Sequence, residues 1–205
     1  WMTVSGSTYK HDMWPQGMDE KEKQQFEKYY VCMPEEFYLF SGLIVITPEN
    51  ADQWCAVISK KYRDLGFMES MSGSGRLGLC AHASGLLTSF PRDFRYGWDL
   101  RRKAHRDHLD KIDKKFTIRV ARYSPRCSPW SASTVMKEAS KLEAARQAEY
   151  PCLQWLAQRV RRAHQEGRAS IIENPRNSAI MKQSPLKSIA NLGGQGHLDQ
   201  CQHGA

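Results

Sequence analysis

Cys127 stands between two prolines in Ser124-Pro125-Arg126-Cys127-Ser128-Pro129-Trp130-Ser131. Such a stretch can neither continue a helix nor lie inside a central strand, so it reads as a stiff loop that aims one thiol. A thiolate is intrinsically reactive and gains from fixed aim, which makes Cys127 a candidate nucleophile. The plainer alternative is a proline-rich surface turn with an incidental cysteine. Upstream, Gly73-Ser74-Gly75-Arg76-Leu77-Gly78 is a GxGxxG sequence between strand-like and helix-like text. Its chemistry would be close backbone approach to a ligand held by helix amides. Asp93 follows at the distance expected of an acid that binds ribose hydroxyls. A mere tight turn is the structural alternative. Two nucleoside cofactors fit the pattern, a dinucleotide and S-adenosylmethionine. Glu69, just before the loop, favours the second, because an acid there meets the amino group of a methionine moiety and repels a pyrophosphate.

The elements that must position these residues follow from the pattern along the chain. The 205 residues are 40% hydrophobic and 25% charged, enough to bury a core. An N-terminal extension, 1–40, carries a charged helix candidate at 19–30. A short apolar strand is expected at 42–46. Thr47-Pro48-Glu49 then opens a helix to about Arg63, with Trp54, Val57, Ile58 and Tyr62 on one face. Strands are expected at 66–70, 86–93, 116–123 and 169–175, and a last one at 196–201. Between them lie a short helix at 79–85, a polar helix at 101–115 with Leu109 and Ile112 inward, helical text at 133–166 broken or kinked near Pro151, and a helix at 184–192. Strands alternating with helices predict an α/β fold with a mostly parallel sheet covered on both faces.

Taken together, four stretches resemble the DNA cytosine-5 methyltransferases: Glu69-Ser70-Met71-Ser72-Gly73-Ser74-Gly75-Arg76, Gly97-Trp98-Asp99-Leu100, the Cys127 loop, and Ile172-Glu173-Asn174-Pro175. The resemblance covers roughly 66–205. More narrowly, 35–205 is similar to a methylase-like domain found in transposable-element polyproteins of some microbial eukaryotes. It implies a Rossmann-like S-adenosylmethionine-dependent methyltransferase domain over 41–205, intracellular and nuclear in a eukaryote, acting on DNA. In that reading Glu69, Ser72, Gly73, Gly75, Asp93, Asp99 and Pro125 hold the cofactor, with Asp99 at its adenine end. The Cys127 thiolate attacks carbon 6 of cytosine, which is covalent catalysis on a base taken out of the duplex. Glu173 holds the base by its ring nitrogen and amino group, and Asn174 orients the loop. The chain departs from the family at Arg126, which replaces a second proline, and at Pro175, which replaces a valine. A guanidinium beside the thiol is suited to lower its pKa or to contact phosphate. Beyond Ala205 the resemblance implies a glutamine–arginine motif, a target-recognition region and a closing helix, so the chain reads as a segment of a longer protein.

The remaining features are weaker. The net charge of +8 favours an anionic partner, nucleic acid first. Arg159, Arg161 and Arg162, in a basic run at 159–168, are candidate phosphate contacts, with a solvated helix end as the alternative. Six cysteines form no CxxC pair, the pattern of free thiols in a reducing compartment. His105, His108, His197, His203 and Cys201 form no closed ligand set, so no metal is expected. No apolar run is long enough to span a membrane. Two other functions remain open: a catalytically inactive nucleic-acid-binding module of a mobile-element polyprotein, and an NAD-binding oxidoreductase.

Overall fold

The computed structural model describes residues 46–73, 75–131, 138–176, 178–194 and 196. The expected extension over 1–40, the strand at 42–46 apart from Ile46, and the strand at 196–201 apart from Gly196 lie outside the described residues. The chain divides into two compact units, residues 1–124 with 168–172, and residues 125–167 with 173–205.

The first unit is α/β. It contains α1 (Ala51–Lys61), β1 (Asp64–Ser70), α2 (Arg76–Ala83), α3 (Lys103–Asp113), β2 (Thr117–Tyr123) and β3 (Ala169–Ile172). The three strands form a parallel sheet in the order β1-β2-β3. β1 is buried along most of its length, as a strand covered on both faces must be. In β2, Ile118, Ala121 and Tyr123 are buried while Thr117 and Arg119 face outward.

The segment expected as a strand at 86–93 is not one. It lies along β1, on the side away from β2, through two isolated parallel bridges, Phe67 with Thr88 and Ser70 with Arg92. Backbone bonds from Gly66 N (2.7 Å) and Phe67 N (3.1 Å) to Leu87 O, and from Ser89 N to Phe67 O (2.9 Å), hold it there. Pro91 has no N–H to give, so a continuous ladder cannot form. The chain thus steps outward from β1 to 86–92, then crosses back to β2 on the other side of β1.

Burial corrects the expected face of α1. Ala51, Trp54, Cys55 and Ile58 are buried, while Val57 is 51% exposed and Tyr62 lies past the helix end. The inward stripe is therefore i, i+3, i+4, i+7 counted from Ala51, and Val57 points away from it. Trp54 packs edge-on against Phe90 (4.9 Å between centroids) and against Phe116 (5.5 Å), and Phe90 stacks on Trp98 (5.6 Å). Trp98 Nε1 donates to Ile46 O at 2.7 Å, which satisfies its buried indole N–H. Leu109 and Ile112 of α3 are buried as their spacing requires. The fully buried Arg92 forms a two-pronged ion pair with Asp113 at the end of α3, and donates to Ser89 Oγ at 3.0 Å. This pair fastens the irregular edge to the helix. α2 begins at Arg76, inside the glycine motif and earlier than expected, and Gly85 (φ 89°) turns the chain out of it.

The second unit holds α4 (Ala139–Gln165), α5 (Ser184–Lys187) and single 3-10 turns at Ser128–Trp130, Ala179–Lys182 and Ala190–Leu192. α4 runs through Pro151 as one helix rather than breaking there, giving up one backbone bond at that turn. Leu153, Leu156, Ile180 and Leu186 are almost completely buried. The helix expected at 184–192 resolves into α5 and the last 3-10 turn. The strand expected at 169–175 ends at Ile172, so Glu173, Asn174 and Pro175 follow it as loop. Among the described residues no helix is long and apolar enough to cross a membrane.

Candidate functional site

In an open parallel sheet, ligands bind outside the carboxyl ends of the strands where the direction of winding reverses. Here it reverses between β1 and β2. Among the described residues of the turn leaving β1, Met71 (58°), Gly73 (57°) and Gly75 (71°) have positive φ. Glycine carries such angles without strain, and Gly75 then caps α2. A side chain at Gly75 would meet Pro91 at 3.0 Å and the Tyr96 hydroxyl at 3.2 Å, whereas nothing lies within 4 Å of a Cβ built on Gly73. The loop is therefore pressed against the protein at Gly75 and open above Gly73.

Two carboxylates hold this loop. Gly73 N donates to Asp93 Oδ2 at 2.9 Å, and Asp93 Oδ1 accepts from Arg95 N at 3.1 Å. Gly78 N, in the first turn of α2, donates to Glu69 Oε2 at 3.0 Å, and Arg122 on β2 pairs with Glu69 Oε1. Glu69 is 3% exposed. Burial pushes its carboxyl above the usual glutamate value, against the opposing pull of the Gly78 amide and the Arg122 guanidinium. Ser124 N donates to Ser70 O at 3.2 Å, extending the β1–β2 pairing by one step. Ser72 Oγ and Ser124 Oγ, at these same strand ends, are buried with no hydrogen-bond partner. Buried hydroxyls are rarely left so, and two at one strand edge mark a polar site.

Asp99 follows Trp98, whose backbone N–H donates to Asp93 O at 3.0 Å. The Asp99 carboxylate is chelated by Arg101 (2.8 and 3.0 Å), which holds its pKa below the usual aspartate value, and the Asp99 N–H donates to His105 Nδ1 at 3.0 Å. The same Arg101 guanidinium lies 5.7 Å from the ring of Phe94, the neighbour of Asp93. Phe94 is 66% exposed. Phe94 thus presents an exposed aromatic ring directly after Asp93, a feature the sequence analysis passed over. The signal was present: an aromatic residue directly after Asp93.

In the second unit the cysteine loop is stiff by construction. Pro125, Pro129 and Trp130 are buried, while Cys127 is half-buried and precedes the 3-10 turn, with Trp130 N donating to Cys127 O at 2.8 Å. Asn174 Nδ2 donates to Pro125 O at 2.6 Å, and its Oδ1 is buried without a partner. Arg146 of α4 grips the far end, with Nε on Pro129 O at 3.0 Å and its guanidinium 5.4 Å from the Trp130 ring. Arg146 was invisible in sequence because its role depends on which face of α4 meets the loop. Arg126 is turned to Ser128 Oγ (2.7 Å) and Glu149 (3.8 Å) and is largely exposed. Cys55 and Cys152, by contrast, are fully buried core residues.

β2 and β3 are adjacent and parallel, and Tyr123 pairs with Ile172 as their last register position. The chain therefore leaves both strands at one edge, into the Cys127 loop from β2 and directly into Glu173 and Asn174 from β3. Glu173 is half-buried. Of the three basic candidates, Arg159 lies over the Trp155 ring at 4.9 Å, Arg161 donates to Ser188 Oγ at 2.7 Å, and Arg162 is exposed. Only Arg162 projects without such a contact. Among the described residues no three His, Cys, Asp or Glu side chains are grouped to hold a metal ion; His197, Cys201 and His203 lie outside them.

Comparison of the chain with protein-family models, with curated proteins and with solved structures finds no match.

Proposed function

We propose that the chain is the Rossmann-like core of an S-adenosylmethionine-dependent methyltransferase that acts on carbon 5 of cytosine in DNA. The observation that carries the cofactor is the occupant of the α2 N-terminus. A dinucleotide needs that helix end for its pyrophosphate. Here the Gly78 amide already serves the Glu69 carboxylate, and Asp93 stands on the other side of the loop. Two carboxylates repel a pyrophosphate and attract an ammonium and a sulfonium. The buried Ser72 and Ser124 hydroxyls fit the polar end of such a ligand, the remaining acceptor capacity of Asp93 fits ribose hydroxyls, and Phe94 fits a base. Bound there, S-adenosylmethionine supplies an electrophilic methyl group.

The chain's own residues account for the rest. The Cys127 sulfur donates an electron pair to carbon 6 of cytosine and makes carbon 5 nucleophilic. Glu173 meets the ring nitrogen and amino group and offsets the charge that develops on addition. Asn174, through Pro125 O, keeps the loop in place. Loss of the carbon 5 proton after methylation re-forms the ring double bond and expels the Cys127 thiolate. Incubation with DNA and tritium-labelled S-adenosylmethionine is expected to place label in 5-methylcytosine after digestion to nucleosides. Binding of DNA with no label transferred would favour the inactive-module alternative.

A further inference from the structure

We infer that Arg122 is the carboxylate receptor of the glycine-loop site, so that the site selects nucleosides ending in a zwitterionic α-amino acid over those ending in an amine alone. The inference deepens the cofactor reading above and rests on it.

Glu69 and Arg122 face each other in register on β1 and β2, one step from the carboxyl ends where the winding reverses. Their side chains are in direct contact, and both are largely buried, at 3% and 19% exposed. A buried pair of this kind is weak support for a fold, because desolvation of two charges offsets most of their attraction. An apolar pair would fill the same space. The pair gains a distinct role when the ligand has the opposite polarity at each end. An ammonium then lies against Glu69 and a carboxylate against Arg122, and each of four charges is next to charges of opposite sign. A guanidinium offers five donors in a fork that matches a carboxylate.

The second observation is independent of the pair. Ser124 is on the same strand end as Arg122, and Ser72 follows Glu69 in the loop; both hydroxyl oxygens are buried and unpartnered. A hydroxyl can donate to a carboxylate and accept from an ammonium, so the two complete the bonding of an amino-acid group.

Calorimetric titration of the chain with S-adenosyl-L-homocysteine and with its decarboxylated counterpart, which keeps the amine, tests the inference. The wild type should bind the carboxylate-bearing ligand about ten- to a hundredfold more tightly, the range for a charge-assisted bond. Arg122→Met should bring the two affinities within about twofold of each other, and Arg122→Lys should fall between. Arg122→Met that keeps the full preference overturns the inference. If Arg122→Met does not fold, the wild type decides: equal affinity for the two ligands overturns it just as fully. Wild type that binds neither ligand overturns the cofactor reading itself, an outcome distinct from loss of the preference alone.

Discussion

Cys127→Ser is expected to abolish the covalent complex with fluorocytosine-containing DNA and to reduce methyl transfer by several orders of magnitude, in a form of the protein that methylates DNA. Loss of a nucleophile is among the most costly single changes an enzyme can suffer. The substitution should be otherwise quiet. The Cys127 side chain caps nothing at the turn it precedes. The loop is held instead by Asn174 on Pro125 O and by Arg146 on Pro129 O and Trp130. Cofactor affinity and thermal midpoint should therefore match the wild type. A denaturing gel of the trapped complex reads the first effect; an adduct that survives the substitution contradicts the role given to Cys127.

The largest effect on stability is expected at Arg92. Arg92→Met leaves the Asp113 carboxylate, 8% exposed, without the guanidinium that faces it. Breaking a buried pair from one side costs about 3–5 kcal/mol. The edge at 86–92 keeps its backbone bonds to β1 and the packing of Phe90, so the cost falls on the unmatched Asp113 charge. Because Met71 N bonds to Arg92 O at 2.6 Å, the loss should also loosen the glycine loop. Urea denaturation followed by tryptophan fluorescence measures the cost. The double variant Arg92→Met with Asp113→Leu should recover most of it, since both charges are then gone. A single-variant cost below about 1 kcal/mol would show that the pair is not a fastening.

Most of the local text was readable from the sequence. The alternation in 117–123 and the Leu109/Ile112 spacing each point to one period only, and the structure has β2 and α3 there. Asp93 beside Gly73 was also legible, because a strand–glycine turn–helix unit whose chain returns along the first strand leaves few ways to separate them. What was not legible depends on register or on faces. The Glu69–Arg122 pair joins residues far apart in sequence and exists only because β1 and β2 align at that step. The edge at 86–92 reads as a strand by composition, but one proline removes the donor that a ladder needs. Val57 shares apolar character with Trp54 and Ile58, yet the helix turns it outward. Pro151 predicts a break, and α4 runs through it because Cys152, Leu153, Trp155 and Leu156 are buried directly after it.

The cofactor reading carries the most weight, and its most direct test is a pair of calorimetric titrations on one sample, with S-adenosylmethionine and with NAD. Glu69 at the α2 N-terminus predicts saturable binding of S-adenosylmethionine, and none of NAD at the same concentrations, because the pyrophosphate would meet a buried carboxylate where it needs amides. Saturable binding of NAD with none of S-adenosylmethionine would contradict the account.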